Sequence, residues 1–241
     1  MAILGADSYL MVLPGNLPPR TRVWLEAVAF AVAIADLTFE RLRDLLLKMA
    51  DEGGLLGSVL TIPSAYADAW GFVDSAHRLG DMITAGAGEL GSPNLGRLGR
   101  EYHNFSRALF KLRDAVQHVG HSELAGAEKS GIPVWGSLSW AVLISEDLVR
   151  MCALCGGGGG PTVNHQLVNP CGHTFHGRID HIHLEAFGHR ASISDAHRAL
   201  AAYAGELERA LSGKFSGQPR DAPSVLITVD CTFGRDDPAT R

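Results

Sequence analysis

Lys111-Leu112-Arg113-Asp114-Ala115-Val116-Gln117-His118-Val119-Gly120-His121 closes the longest amphipathic pattern in the chain. Leu98, Tyr102, Phe105, Leu109, Leu112, Val116 and Val119 recur at alternating spacings of four and three, the stripe of a helix that packs one face on a core. Gly120 supplies the stop. At about 100° per residue, Arg100, His103, Arg107, Lys111, Asp114 and His118 fall on the opposite side, with Arg113 at the edge of the stripe. The expectation is a mostly basic face, with an imidazole in its last turn, pointing away from the chain's own core.

Two other helical patterns precede this one. Thr21 is the expected N-cap of a helix running to about Glu52, where Gly53-Gly54 ends it. Its first half, Val23 to Leu37, is apolar almost all round, so it is expected to be covered on two sides, by the strand-containing half or by another subunit. Pro63 and Ser64 open a second helix to about Thr84, with Tyr66, Trp70, Val73, His77 and Gly80 along one stripe. On its polar side Asp74, Arg78 and Asp81 are spaced for ion pairs, which more often stabilise a solvated face than serve a site. His77, on the apolar stripe, reads as a core histidine. The glycines and Pro93 between Gly86 and Gly96 mark a loop.

The run of Arg113, Asp114 and His118 at the end of a third helix resembles the HEPN superfamily of small helical proteins, whose pattern is an Arg followed by a polar residue with a His four to six positions on. The resemblance covers roughly Thr21 to Ser122. It implies a helical bundle, often a metal-independent ribonuclease and otherwise a nucleotide-binding or toxin–antitoxin partner protein. The chemistry implied is cleavage of RNA by its own 2′-hydroxyl. An imidazole titrating near neutrality moves the proton, an effect worth about 10²–10⁴-fold. A guanidinium holds the phosphorane-like charge through paired hydrogen bonds. His118 is then the acid/base group, Arg113 the phosphate binder and Asp114 the residue that orients the ring, with Arg100, His103, Arg107 and Lys111 as the RNA-binding face. Residues five apart lie about 140° apart on an ideal helix, so one helix points Arg113 and His118 in different directions. The resemblance implies a homodimer in which two such helices build one cleft.

Composition bounds these expectations. The chain has 241 residues, 46% of them hydrophobic and 20% charged, which suits a globular protein with a substantial core. A net charge of −5 argues against coating nucleic acid through bulk charge and leaves room only for a local basic face. The first 20 residues lack a basic start ahead of an apolar core, and the most apolar run, Ala27 to Ala35, is far short of a membrane span. A cytoplasmic protein with no membrane contact is expected. Four cysteines then read as thiols or metal ligands rather than disulfides.

After Gly131-Ile132-Pro133 the periodicity changes. Val134 to Ile144 and Leu148 to Leu154, around Ser145-Glu146-Asp147, read as a hairpin, with a helix as the competing assignment. Gly156 to Gly160 is not a phosphate-binding P-loop, since no Gly-Lys-Ser/Thr follows. Phe175 to Phe187 alternates as a strand, with Ile179, His181, His183 and Glu185 on one face. Ser192 or Ser194 caps a helix to about Leu211, and Val225 to Val229 reads as a short strand. Cys152, Cys155, Cys171 and His173, with His165, His176, His181 and His183 nearby, have zinc-ligand residue types. The cysteine pair lies in an apolar run instead of a tight knuckle, so buried thiols are the expectation.

The expected class is therefore α+β. Residues 1–20 form an N-terminal arm, residues 21–130 a HEPN-like helical segment, and residues 131–241 a strand-containing segment packed on it. RNA cleavage or RNA binding by a homodimer is the leading functional expectation, with no cofactor and no metal. The alternative is a non-catalytic module of a toxin–antitoxin or phage-defence pair, whose partner protein would be, for example, a nucleotidyltransferase.

Overall fold

The computed structural model of the chain describes residues 2–52, 61–86, 88–117, 133–155 and 172–220, together with the single residues 120, 167, 170 and 228. Within them lie α1 (Pro19–Asp51), α2 (Thr61–Ala85), α3 (Pro93–Gln117), β1 (Ser137–Ser145), β2 (Leu148–Cys155), β3 (Ile179–Ala186), β4 (His189–Ser192) and α4 (Ile193–Phe215). The protein is α+β, with an antiparallel sheet of order β2-β1-β3-β4. The expected strand at Val225 to Val229 lies, apart from Thr228, outside the described residues.

α1 starts three residues earlier than its sequence cap implies. Pro18 is the N-cap and Pro19 the first helical residue, where a missing N–H costs nothing. Thr21 does not cap; its hydroxyl donates to Glu89 Oε2 at 3.0 Å, and with the Arg20–Glu89 pair it ties the loop after α2 to the start of α1. α3 likewise begins on Pro93, inside the stretch that reads as loop. α2 packs along both α1 and α3, and their approach is close enough at Gly80 that a Cβ there would lie 2.5 Å from the ring of Phe110.

The buried face of α3 is rotated from the apolar stripe read in sequence. Leu95, Gly99, Tyr102, Ser106, Leu109 and Leu112 are buried, while Phe105 is 52% exposed. Ser106 takes the inward place, and Phe105 lies at the edge of the contact with α4, beside Arg198 and Ala199. The Tyr102 hydroxyl donates to the Ala76 carbonyl at 2.6 Å, so its burial leaves no unpaired donor.

β1 and β2 form the expected hairpin around Glu146-Asp147. β4 has no counterpart in the sequence reading. It pairs with β3 through Phe187 and Gly188, both at positive φ (53° and 73°), the backbone of a two-residue type I′ turn. The simple alternation expected along β3 fails at His181. There φ is +54°, and the register jumps from Ser139↔His183 to Ala141↔Asp180, so two residues of β3 oppose Trp140 alone. The bulge places Ile179, Asp180, His181 and Ile182 consecutively in buried positions. Gly136, at φ +86°, precedes β1 where a Cβ would meet the Glu185 carbonyl oxygen at 2.4 Å.

Ser192 caps α4 by accepting from the Asp195 N–H at 3.1 Å, and α4 packs on α3 and β3. One contiguous cluster of buried side chains, from Leu10 to Leu211, joins helices and sheet. The Tyr66 hydroxyl on α2 reaches the carbonyls of Gly136 and Leu154 at 3.0 and 2.9 Å, and Arg178 pairs with Asp51 at the end of α1. Glu208 of α4 accepts from the Ser8 hydroxyl and from the N–H groups of Tyr9 and Leu10, fastening the N-terminal arm.

The outer face of α1 is not covered by the strand-containing half among the described residues, the first of the two covers expected for it. Trp24, Leu25, Val28, Val32 and Ala35 are buried, but Val23, Phe30, Ile34 and Leu37 are 66%, 59%, 47% and 57% exposed. The bonds from the strand segment to α1, Arg150 to the Ala50 carbonyl and Arg178 to Asp51, lie at the helix's C-terminal end, away from this face. No helix among the described residues is long and apolar enough to cross a membrane.

Candidate functional site

The end of α3 lies beside the middle of α2, and the polar residues of the two helices form one ridge. From α3 come Phe110, Arg113 and Asp114; from α2 come Asp74, His77, Arg78 and Asp81. The i and i+4 spacing of Asp74 and Arg78 produces a 2.7 Å bond from Arg78 Nε to Asp74 Oδ2. Asp74 Oδ1 faces Arg113, 3.6 Å from its Nε, and Arg113 Nη1 is 3.9 Å from Asp114 Oδ1. These distances are too long for hydrogen bonds. Arg113 Nε is buried with no hydrogen-bond partner among the described residues, so the guanidinium sits between two carboxylates with bonding capacity unused.

His77 is the residue that sequence reasoning misplaced. Its side chain is 16% exposed, yet it is not enclosed in an apolar core. Nδ1 lies 3.2 Å from Asp81 Oδ2 and Nε2 lies 3.9 Å from Asp114 Oδ1, while the ring stands edge-on to Phe110 with centroids 4.9 Å apart. The i and i+4 spacing of His77 and Asp81 was the available signal. It was masked by the apolar stripe to which His77 also belongs. Asp81, expected to pair with Arg78, faces His77 instead.

The structure therefore brings Arg113 and Asp114 together and adds an imidazole from α2. His118, the histidine of the motif, lies outside the described residues. Of the four basic-face candidates, Arg100, Arg107 and Lys111 are exposed, but His103 is not on an open face. Its Nε2 is 3.2 Å from the Thr84 hydroxyl, because the ring leans back onto α2. Arg100 and His103 together line a cavity of ≈ 530 Å³, walled otherwise by such residues as Trp24, Ile83 and Tyr203. Burial pushes the Tyr203 hydroxyl's pKa up to about 12. Arg107 and Lys111 stand about two turns and one turn before Asp114 on the same exposed stripe.

The two described cysteines, Cys152 and Cys155, do not share a face. Cys152 pairs with Trp140 and Cys155 with Ser137 along β2, and three residues apart on a strand they point to opposite faces. Both are half-buried, less enclosed than the expected buried thiols. Burial raises both thiol pKa values, against a small opposing effect of Arg150 on Cys152. Cys171 and His165 lie outside the described residues. No family model, curated protein or solved structure matches the chain.

Proposed function

We propose that the α2–α3 ridge binds RNA and cleaves it without a metal, in a homodimer. The supporting observation is the grouping of Arg113, Asp114 and His77, with Arg113 Nε free of hydrogen bonds among the described residues and Asp114 3.9 Å from the His77 ring. Cleavage by a neighbouring 2′-hydroxyl needs one group to take that proton and another to protonate the departing 5′-oxygen. His77 and His118 supply two imidazoles for these two steps. Arg113 binds the phosphate and stabilises the charge that develops on it. Asp81, 3.2 Å from Nδ1, orients His77, with Asp114 facing Nε2 from 3.9 Å, and Arg107 and Lys111 extend the contact along the RNA backbone.

The exposed stripe of Val23, Phe30, Ile34 and Leu37 supports the dimer, since a second copy covers it across a two-fold axis. The same stripe supports the alternative of a non-catalytic module, with a partner protein such as a nucleotidyltransferase on that face. Affinity for single-stranded RNA separates the residues involved. Arg113→Ala weakens binding by about tenfold or more, and Lys111→Ala lowers its salt dependence. Unchanged affinity in Arg113→Ala removes the ridge as the RNA site.

A further inference from the structure

A second cluster of ligating side chains joins α1 to α4. Asp36 and Glu40 are one turn apart on α1, and His197 faces them from α4. One donor atom from each lies within 4.8 Å of the other two. His197 Nε2 is 2.8 Å from Asp36 Oδ1, and the imidazole is stacked on Phe39 with ring centroids 3.7 Å apart. The other Asp36 oxygen accepts the Ile3 N–H at 2.8 Å. Both the carboxylate and the ring are thus fixed by neighbours outside the cluster, as the groups around a metal's ligands fix them.

The charges also point to a cation. Two carboxylates converge on one imidazole, in a place where Asp36 is only 6% exposed. Glu40 shares its charge with Arg43, at 2.6 Å, and Arg41 turns away to Asp68. No Lys or Arg among the described residues forms an ion pair with Asp36. A divalent ion held between the two carboxylates and the imidazole would satisfy all three groups at once.

We propose that Asp36, Glu40 and His197 bind one divalent transition-metal ion, of the Zn²⁺ or Mn²⁺ class, that clamps α1 to α4. Two carboxylate oxygens with one imidazole nitrogen suit these ions better than Ca²⁺ or Mg²⁺, which take oxygen donors. Three protein ligands leave at least one coordination position for water. On binding, the Nε2 lone pair goes to the ion, the ring proton resides on Nδ1, and the hydrogen bond between His197 and Asp36 is replaced by two metal–ligand bonds. The site is separate from the α2–α3 ridge, and RNA cleavage there does not depend on it. Sequence reasoning missed it because His197 is distant in the chain from Asp36 and Glu40, whose own spacing is that of any ordinary helix face.

The test is calorimetric titration of EDTA-stripped full-length protein with ZnCl₂ and with MnCl₂. We expect one ion per chain and a rise in Tm of roughly 5–10 °C at one hundred times the Kd. Glu40→Gln, a half-buried and nearly isosteric change, weakens binding by at least about tenfold, as does His197→Gln, while Cys152→Ser with Cys155→Ser leaves it unchanged. Paramagnetic broadening of the His197 ring signals by Mn²⁺ in the wild type gives a readout that needs no variant. Absence of binding and of broadening, or affinity that survives both ligand substitutions, overturns the site.

Discussion

Asp180 shows how much a single residue carries here. It is 3% exposed, and its carboxylate accepts the N–H groups of His176 and His181 at 2.9 and 2.7 Å and Arg198 Nη1 at 2.9 Å. Burial acts to raise its pKa, but these bonds and the Arg198 charge hold it below the ordinary value. Asp195 pairs with the other arm of Arg198 and completes the network. Because the folded pKa lies under the unfolded one, Asp180 contributes stability that is fully present above the unfolded value, near pH 3.9, and is lost as pH falls through the folded value. Asp180→Asn is expected to cost about 3 kcal/mol at neutral pH, the low end for a broken buried pair because Arg198 is about one-third exposed. Thermal melts from pH 7 downward check this: the wild type loses Tm steeply below about pH 4, and the variant, already lower, loses less. Asp180 was assigned in sequence to a simple strand alternation. That placement missed the network because the left-handed backbone of His181 is imposed by tertiary packing, with no glycine to announce it.

Among the elements, α1 was the most legible in extent and the least in environment. Its length follows from helical periodicity and its prolines, but periodicity cannot say which of several apolar sides another element will cover. Inside one chain α2 and α4 take one side, and Val23, Phe30, Ile34 and Leu37 are left in water. Their spacings of seven, four and three make a continuous line along the helix. If a second copy covers it, Phe30→Glu with Ile34→Glu places charges in that interface while touching no buried residue of the monomer. Sedimentation equilibrium at micromolar concentration is expected to give a dimer for the wild type and a folded monomer for the double variant. A monomeric wild type removes the two-fold arrangement. The Phe105 assignment failed for a related reason. Alternating spacings of four and three locate an apolar stripe only to within about one position, and the fold turns Ser106 inward while Phe105 stays at the edge beside α4.

In the whole molecule, the change of periodicity near residue 133 was readable, and so were the hairpin that follows and the cap of α4. The packing of the last helix back onto the helical segment was also expected and is found against α3; the pairing of β3 with β1 was not readable, since long-range contacts leave no local pattern. The same limit governs the candidate site. Arg113 and Asp114 stand out because a polar pair follows an apolar stripe at a helix end. His77 enters from another helix, and its proximity to them exists only in the fold. The central claim is that these residues, with His118, cleave RNA by attack of its own 2′-hydroxyl, and the most direct test is to incubate purified protein with single-stranded RNA in EDTA and analyse the ends. The wild type is expected to leave 2′,3′-cyclic phosphates, and His77→Ala and His118→Ala each to lower the rate by about 10²–10⁴-fold with RNA affinity nearly unchanged. Absence of cleavage by the wild type, or cleavage equally fast without either histidine, would contradict it.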